Sequence, residues 1–516
     1  MLSHNSTSKE GEVINQGYHI GGYSMRRHGS GIGYLETTPA GGLDGGKVDA
    51  IQIENPGWSI APLDLVYGNS ENYPEYNNTT AKDNSHQYAK AVAASIVEYL
   101  KVHYDYSNPS IDSNSTGHEY LPAIAKNNSG DYVVAWQDDD DLNGHFNITV
   151  RGFNADGSEK FSARQVGASS GNLVRPDVAI DAQGRFVVVW QDDQDLNGFY
   201  NIHAAGFDNK GDSFVVNGNT VGDRVISAIA NRQKRPAVAM SESSGKFVVT
   251  WDDDEDGNGL WEVKARGYDL TSMVGSSGNE YFAETFATIA VNDISSGNQN
   301  YSDVAMNANG AFVVAWQDNQ DAVTSPKNAD SYNIKLAGFT PDGSKVIADV
   351  DVSTTKHKLR PAIAMNDNGQ FVVAWHDDSN DDNDVWQVKV NGYSIVADNA
   401  LPFDTTPFSE ITINPTSTAN QRYPDVAIAN DGKFAVTWHD NSNSSETAYD
   451  IYTRFFTANG VKDKEEIVFR ENIIADNAQY FPTIAMNKST GEYVVVWADD
   501  NDGDGQFEIL SQSTGY

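Results

Sequence analysis

Short apolar runs dominate this chain, and they recur. The stretch PDVAIDAQGRFVVVWQDDQDLNGFYNIHAAGF, from Pro176, contains three of them, PDVAI, FVVVW and NIHAAGF, separated by a glycine turn and an acidic loop. Runs of β-branched and aromatic residues bounded by Gly, Asn and Asp read as strands, and the 3.6-residue period of a helix is absent from them. The same arrangement begins at Pro122 and Pro236 and, less closely, at Ser302, Pro361, Pro424 and Pro482. Trp136, Trp190, Trp251, Trp316, Trp375, Trp438 and Trp497 mark the copies at intervals of about 54 to 65 residues, the period of a repeat architecture.

A turn such as NADG or TPDG and a looser run complete each copy, so every repeat predicts four antiparallel strands. Seven such units make a mainly β chain, a seven-bladed β-propeller over residues 122–516 in which radial closure protects the sheet edges. The last copy reaches Tyr516 without its fourth run. Residues near 107–117, within a linker at 105–121, resemble the fourth-strand segment INPTSTANQRYP and are expected to complete the seventh blade.

The loops after the tryptophans carry the strongest chemical signal. Asp193, Asp195 and Asn197 alternate, Gly198 follows, and Asn201 comes three residues later. The pattern returns as Asp139, Asp141, Asn143 and Asn147, as Asp254, Asp256, Asn258 and Glu262, and as Asp500, Asp502, Asp504 and Glu508. Alternate residues of a tight loop point oxygens at one centre, and a hard cation takes six to eight of them. These loops resemble the D-x-D-x-[DN]-G hairpins of integrin-type propellers, which implies about four Ca2+ sites. Copies four to six depart from the pattern; the fifth keeps Asp378, Asn380 and Asp382 without the glycine.

Propeller geometry places the residues that open each copy, before a proline or, in the fourth, before Ser302, near the central channel: Leu121, Arg175, Arg235, Tyr301, Arg360, Tyr423 and Phe481. Arginine and aromatic side chains at a channel mouth suit a sugar polymer, with rings stacking and guanidinium groups pairing with carboxylate or sulfate. Arg175, Arg235, Tyr301, Arg360 and Tyr423 are the candidate ligand-binding residues; pairing of the arginines with neighbouring acidic loops is the competing explanation. His376 and His439 each follow a tryptophan, as do Gln137, Gln191, Asp252 and Gln317, so a polar residue is usual there. A polysaccharide lyase working through those histidines is a lesser alternative.

Composition narrows the partners. The 72 Asp and Glu outnumber 35 Lys and Arg, a formal charge of -37 that repels nucleic acid and anionic lipid surfaces. No apolar run approaches the roughly 20 residues of a membrane helix, and MLSHNSTSKEGEV lacks the apolar core of a secretion signal. There is no cysteine, hence no disulfide, thiolate metal site or cysteine nucleophile. The expectation is a secreted or cell-surface binding module stabilised by Ca2+, with a polysaccharide or surface glycan as partner and no insertion into membranes. A structural adhesion module is a further alternative.

Residues 1–104 show no copy of the repeat. They contain YHIGGYSMRRHGSG and the strand AIQIE, and HQYAKAVAASIVEYLKVHY predicts an amphipathic helix with Ser85 as its cap. This segment resembles the C-terminal part of an N-formylglutamate amidohydrolase-like zinc hydrolase, a relative of the carboxypeptidase fold, and implies a small partial α/β segment ahead of the propeller. The resemblance makes Glu54 the acid/base candidate and Arg27, or Arg26, the clamp for a substrate carboxylate. Zinc would enter only with ligands from an upstream domain: no H-x-x-E occurs in this segment, and His19 and His28 fall short of the three protein ligands a catalytic zinc takes. A fragment of a secreted zinc peptidase or amidohydrolase, with the propeller as targeting domain, is therefore the main rival, and the chain as it stands is not expected to hydrolyse a substrate.

Overall fold

The computed structural model is mainly β, with six four-stranded antiparallel sheets and a seventh of three strands forming the blades of a propeller. It describes Ser3–Asn5, Gly17–Ile20, Tyr23–Arg27, Ile32–Glu36 and Gln52–Glu54, and 109–514 apart from 113–116, 168–170, 214, 217–218, 221–223, 228–231, 277–278, 320–331, 353–356, 379–384, 396–403, 414–419, 442–448, 463–468, 471–477, 501–502 and 504. The innermost strands are Glu119–Lys126, Asn172–Ile180, Arg232–Met240, Gln299–Met306, Lys358–Met365, Gln421–Ile428 and Gln479–Met486. Each neighbours the next, and the seventh returns to the first.

A blade is covered on both faces by its neighbours, so its second strand has no solvent side to mark with polar residues. Phe186–Asp193 and Tyr132–Asp138 are accordingly buried from end to end. Each core is shared between consecutive blades, as where Val133, Ala135 and Val150 of the first pack with Val178, Phe186 and Trp190 of the second. All seven marker tryptophans are at most 1% exposed. Trp251 and Trp497 donate their indole N–H to Asp253 and Asp499 at 2.8 Å, which explains why an aspartate follows two residues after the tryptophan. Glycine in the third strand clears room for the fourth: a Cβ on Gly392 would stand 2.3 Å from the Phe408 ring.

The seventh sheet consists of Gln479–Met486, Tyr493–Asp499 and Glu508–Thr514. Its free edge is covered by residues 109–111: the Ile111 N–H donates to the Ile509 carbonyl at 2.7 Å and the Ser511 N–H to Pro109 at 3.0 Å. Ile111 is 1% exposed, packed with Tyr132, Val134 and Trp136 of blade 1 and Val494 and Val496 of blade 7. The Arg151 Nη1 donates to its carbonyl at 2.7 Å.

Residues 1–107 form a separate unit. Its described strands make one antiparallel meander of five. Arg27 pairs with Gly33 and Glu54 with Ile32, so both lie against Ile32–Glu36 from opposite sides. Arg26 pairs with Tyr34. The helix expected from Ser85 onward lies outside the described residues, as does His28.

Candidate functional site

Every innermost strand is interrupted at one place. Leu121, Arg175, Arg235, Tyr301, Arg360, Tyr423 and Phe481 all have φ between 46 and 56°. The ladder slips at each, for example between Val174 and Asp177 and between Lys234 and Ala237. A left-handed residue other than glycine costs roughly 1–2 kcal/mol, and bulges that re-aim a side chain concentrate at binding sites.

The strained N–H leaves its own ladder and crosses to the preceding blade. Arg175 donates to Gln137 Oε1 at 2.8 Å, Arg235 to Gln191 Oε1 at 2.7 Å, Tyr301 to Asp252 Oδ2 at 3.1 Å and Arg360 to Gln317 Oε1 at 3.1 Å. Tyr423 donates to His376 Nδ1 at 3.3 Å. In five blades the polar residue after the tryptophan therefore accepts a hydrogen bond from the next blade, and His376 belongs to that series. Burial, with Arg360 and Arg422 nearby, pushes His376 well below the usual histidine range, so it stays neutral as an acceptor must. His439 is 2% exposed, and burial beside Arg422 pushes it down to about 3. Neither of its nitrogens has a hydrogen-bond partner among the described residues. It sits among the rings of Tyr449, Tyr423 and Tyr480, at 4.4, 5.0 and 5.7 Å.

The side chains at the bulges meet across blades. The guanidinium groups of Arg235 and Arg360 lie 3.7 and 3.8 Å from the centre of the Tyr301 ring, and Arg360 is 4.9 Å from that of Tyr423. Tyr423 packs on Phe481 at 4.8 Å, and Phe481 on Tyr120 at 5.0 Å. Burial and the charge of Arg235 push Arg175, at the bulge of the adjoining blade, below its ordinary range. Of these three arginines only Arg235 forms an ion pair among the described residues, with Asp252 at 2.7 Å. One half of the mouth is thus cationic and the other aromatic.

A second series of aromatic residues repeats around the blades. Phe146, Tyr200, Trp261, Tyr332, Trp386, Tyr449 and Phe507, one per blade, are half-buried just before the third strand. Their carbonyls accept the N–H of Leu173, Gln233, Gln299, Lys358, Gln421, Gln479 and Glu119 of the following blade at 2.8–3.1 Å. The periodic reading passed over this series, although the signal stood in the chain: an aromatic always precedes NIT, NIH, EVK, NIK, QVK, DIY or EIL.

The acidic hairpins lace themselves. Asp139 accepts the N–H of Asn143 at 2.9 Å and of Gly144 at 3.0 Å, and Asp193 those of Asn197 and Gly198 at 2.9 and 3.0 Å. Asp254 and Asp500 accept from Gly259 and Gly505 at 3.1 and 3.2 Å. Asp141 and Asp195 hold the side-chain amides of Asn143 and Asn197, each at 2.8 Å, and Asp256 that of Asn258 at 2.6 Å. Gly198, at φ 82° with open space around it, is required by backbone conformation rather than by packing. Asn147, Asn201, Glu262 and Glu508 open the third strands, opposite Asp138, Asp192, Asp253 and Asp499. Glu262 pairs with Lys264 at 2.8 Å. Asp502 and Asp504 lie outside the described residues. The all-oxygen donor set suits a hard cation, and each loop carboxylate keeps lone pairs beyond those its N–H donors use.

Two residues past the bulge, aspartate alternates with alanine: Asp177, Asp303 and Asp425 in blades 2, 4 and 6, and Ala123, Ala237 and Ala362 in blades 1, 3 and 5. Their Oδ2 atoms accept the N–H of Val238, Ile363 and Ile484 in the next blade at 2.7, 2.8 and 2.8 Å. Burial and the charge of Asp425 push Asp177 up to about 7. Burial and Asp177 push Asp303 well above the carboxylate range, and burial also raises Asp425.

No family model matches the chain, and no curated protein matches it. Among solved structures it is similar to a protein of unknown function from Dyadobacter fermentans, with 12% identity and a TM-score of 0.42 over 79% of this chain and 98% of that one. The Hadza microbial sialidase Hz136 gives 11% identity and 0.39 over 74% and 76%. An α-L-arabinofuranosidase of Fusarium graminearum, solved with an iminosugar inhibitor, gives 11% and 0.39 over 79% and 98%. Likenesses this distant transfer no activity to this chain.

Proposed function

We propose that the chain is an extracellular binding module whose channel mouth takes an acidic polysaccharide. The observation that carries this reading is the convergence of Arg235 and Arg360 on the Tyr301 ring, with Arg175 at the bulge of the adjoining blade and Asp252 as their one described ion-pair partner, in a chain of net charge -37. A uronate or sulfate group pairs bidentately with guanidinium, and sugar rings lie on Tyr301, Tyr423 and the aromatic half. The acidic hairpins stand outside this ring in sequence and, at a screening length of about 8 Å, repel a bound polyanion only weakly. Binding is favoured over bond cleavage because glycoside hydrolysis takes two working carboxylates across the scissile bond. Here Asp252 is held by Arg235 and the Tyr301 N–H, and Asp177, Asp303 and Asp425 by backbone N–H groups.

In affinity electrophoresis the protein should be retarded by polygalacturonate or a sulfated glycan and much less by a neutral glucan. Replacing Arg175 and Arg360 together with Gln should weaken that binding at least ~10-fold, about 1.4 kcal/mol or more, while the thermal midpoint stays near that of the wild type. Equal retardation by the neutral glucan, or an unaffected double variant, would overturn the reading.

The same reading assigns Ca2+ to the four complete hairpins, supported by the repeated lacing of Asp139, Asp193, Asp254 and Asp500. Chelation should then lower the thermal midpoint, because an ion bound only by the folded chain stabilises it by mass action, about 2.7 kcal/mol per site at a hundredfold excess over Kd. An unchanged melt in excess EDTA would remove Ca2+ from the account.

A further inference from the structure

One position behaves differently in blade 1 from the six others. The first buried residue of each innermost strand faces, in antiparallel register, the aspartate two residues after the tryptophan: Leu173 with Asp192, Gln233 with Asp253, Gln299 with Asp318, Lys358 with Asp377, Gln421 with Asp440 and Gln479 with Asp499. All six of those partners are neutral or cationic, and all are fully buried. Gln421 Nε2 donates to Asp440 at 3.0 Å and Gln479 Nε2 to Asp499 at 3.3 Å. In blade 1 the partner of Asp138 is Glu119, itself 0% exposed. Two carboxylates stand where the fold otherwise sets an amide, an ammonium group or, in blade 2, a leucine against the aspartate.

Neither oxygen of Glu119 has a hydrogen-bond partner among the described residues. An unpaired buried carboxylate is among the costliest groups a protein can hold, and its cost falls when a cation sits against it. Asp140 supplies a third carboxylate, and one oxygen from each of Glu119, Asp138 and Asp140 lies within 4.8 Å of the others. Asp138 is already oriented, accepting Thr149 Oγ1 at 2.7 Å and the Asp140 N–H at 3.1 Å. Gly117 closes over the group: a Cβ there would stand 2.7 Å from Glu119 Oε1 and 3.0 Å from Asp140 Oδ1. Burial, with the charges of Asp112, Asp138 and Asp140, pushes the Glu119 carboxyl up to about 9.

We propose that Glu119, Asp138 and Asp140 form a binding site for a hard divalent cation of the Ca2+ class, separate from the hairpins and buried at the seam where the ring closes. Three carboxylates and no nitrogen or sulfur ligand select such an ion. The site is entered from the exposed side, at Asp140. It uses residues of opposite parity to the hairpin ligands: Asp138 and Asp140 bind here, while Asp139 and Asp141 belong to the loop. The ion ties the strand that follows the closing segment to the second strand of blade 1.

Glu119→Gln is the test, because it installs the residue that blades 3, 4, 6 and 7 already carry and leaves every hairpin intact. Chelator-stripped wild type titrated with CaCl2 in a calorimeter should bind one more ion than the variant. Its thermal midpoint should gain ~3 °C more than that of the variant at a hundredfold excess over Kd. The variant without Ca2+ should melt no lower than stripped wild type. A paired variant, Asp195→Asn with Asn197→Ala, must keep the Glu119-dependent increment, which separates this site from hairpin binding. Equal stoichiometry and equal Ca2+ response in wild type and Glu119→Gln overturn the site and identify the pair as two carboxyl groups sharing a proton.

Discussion

Ile111→Asp should cost about 4 kcal/mol or more of stability, measured by urea denaturation. Ile111 is 1% exposed in a core drawn from blades 1 and 7, so the substitution forfeits about 1.5–3 kcal/mol of apolar burial and adds an uncompensated buried charge. The loss extends beyond one side chain, because the 109–111 segment covers the free edge of Glu508–Thr514 and carries the acceptor for Arg151. Ile111→Val, which keeps the shape and removes one methylene, should cost only about 1 kcal/mol. An Ile111→Asp protein within 1 kcal/mol of wild type would show that the segment contributes little to closing the ring.

The propeller should also lose stability as pH rises from about 5 to 8.5. Asp177, Asp303 and Asp425 all titrate above their ordinary range in the folded chain, Asp177 at about 7. The folded state therefore holds protons that the unfolded chain releases near pH 4. Stability from this source is fully present below that pH and disappears as pH climbs through the folded values. Asp303→Asn removes the most strongly shifted group but disturbs one of its two backbone hydrogen bonds. It should be less stable than wild type at pH 5, with a gap that narrows steadily toward pH 8.5. Parallel pH curves for the two proteins, at fixed ionic strength and with chelator present, would remove the channel aspartates as the cause.

The fold was legible because one requirement acts seven times: a strand sandwiched between neighbours must be apolar on both faces and end in a tryptophan, followed two residues later by an aspartate that receives the indole N–H in five of the blades. The ring of residues before the prolines was legible for a similar reason, since blade geometry places that position near the axis. Their left-handed backbone was not, and without it the polar residue after each tryptophan had no evident purpose. His376 drew attention as a candidate for chemistry, whereas it shares its task with three glutamines and Asp252. The carboxylates Glu119 and Asp138 are nineteen residues apart in the chain and become partners only through strand register. The acidic loop nearby, with its local spacing, was easier to see.

The alternation of aspartate and alanine around the channel has an arithmetic consequence. Asp177 joins blade 2 to 3, Asp303 joins 4 to 5, and Asp425 joins 6 to 7. A pairwise device cannot tile an odd number of blades, so one is left over, and it is blade 1. It alone lacks such a fastening on both sides, and it is also where the chain closes on itself and where three carboxylates gather around Glu119. The molecule is built as three doublets and a singlet, and the joints 1–2, 3–4, 5–6 and 7–1 go without this fastening.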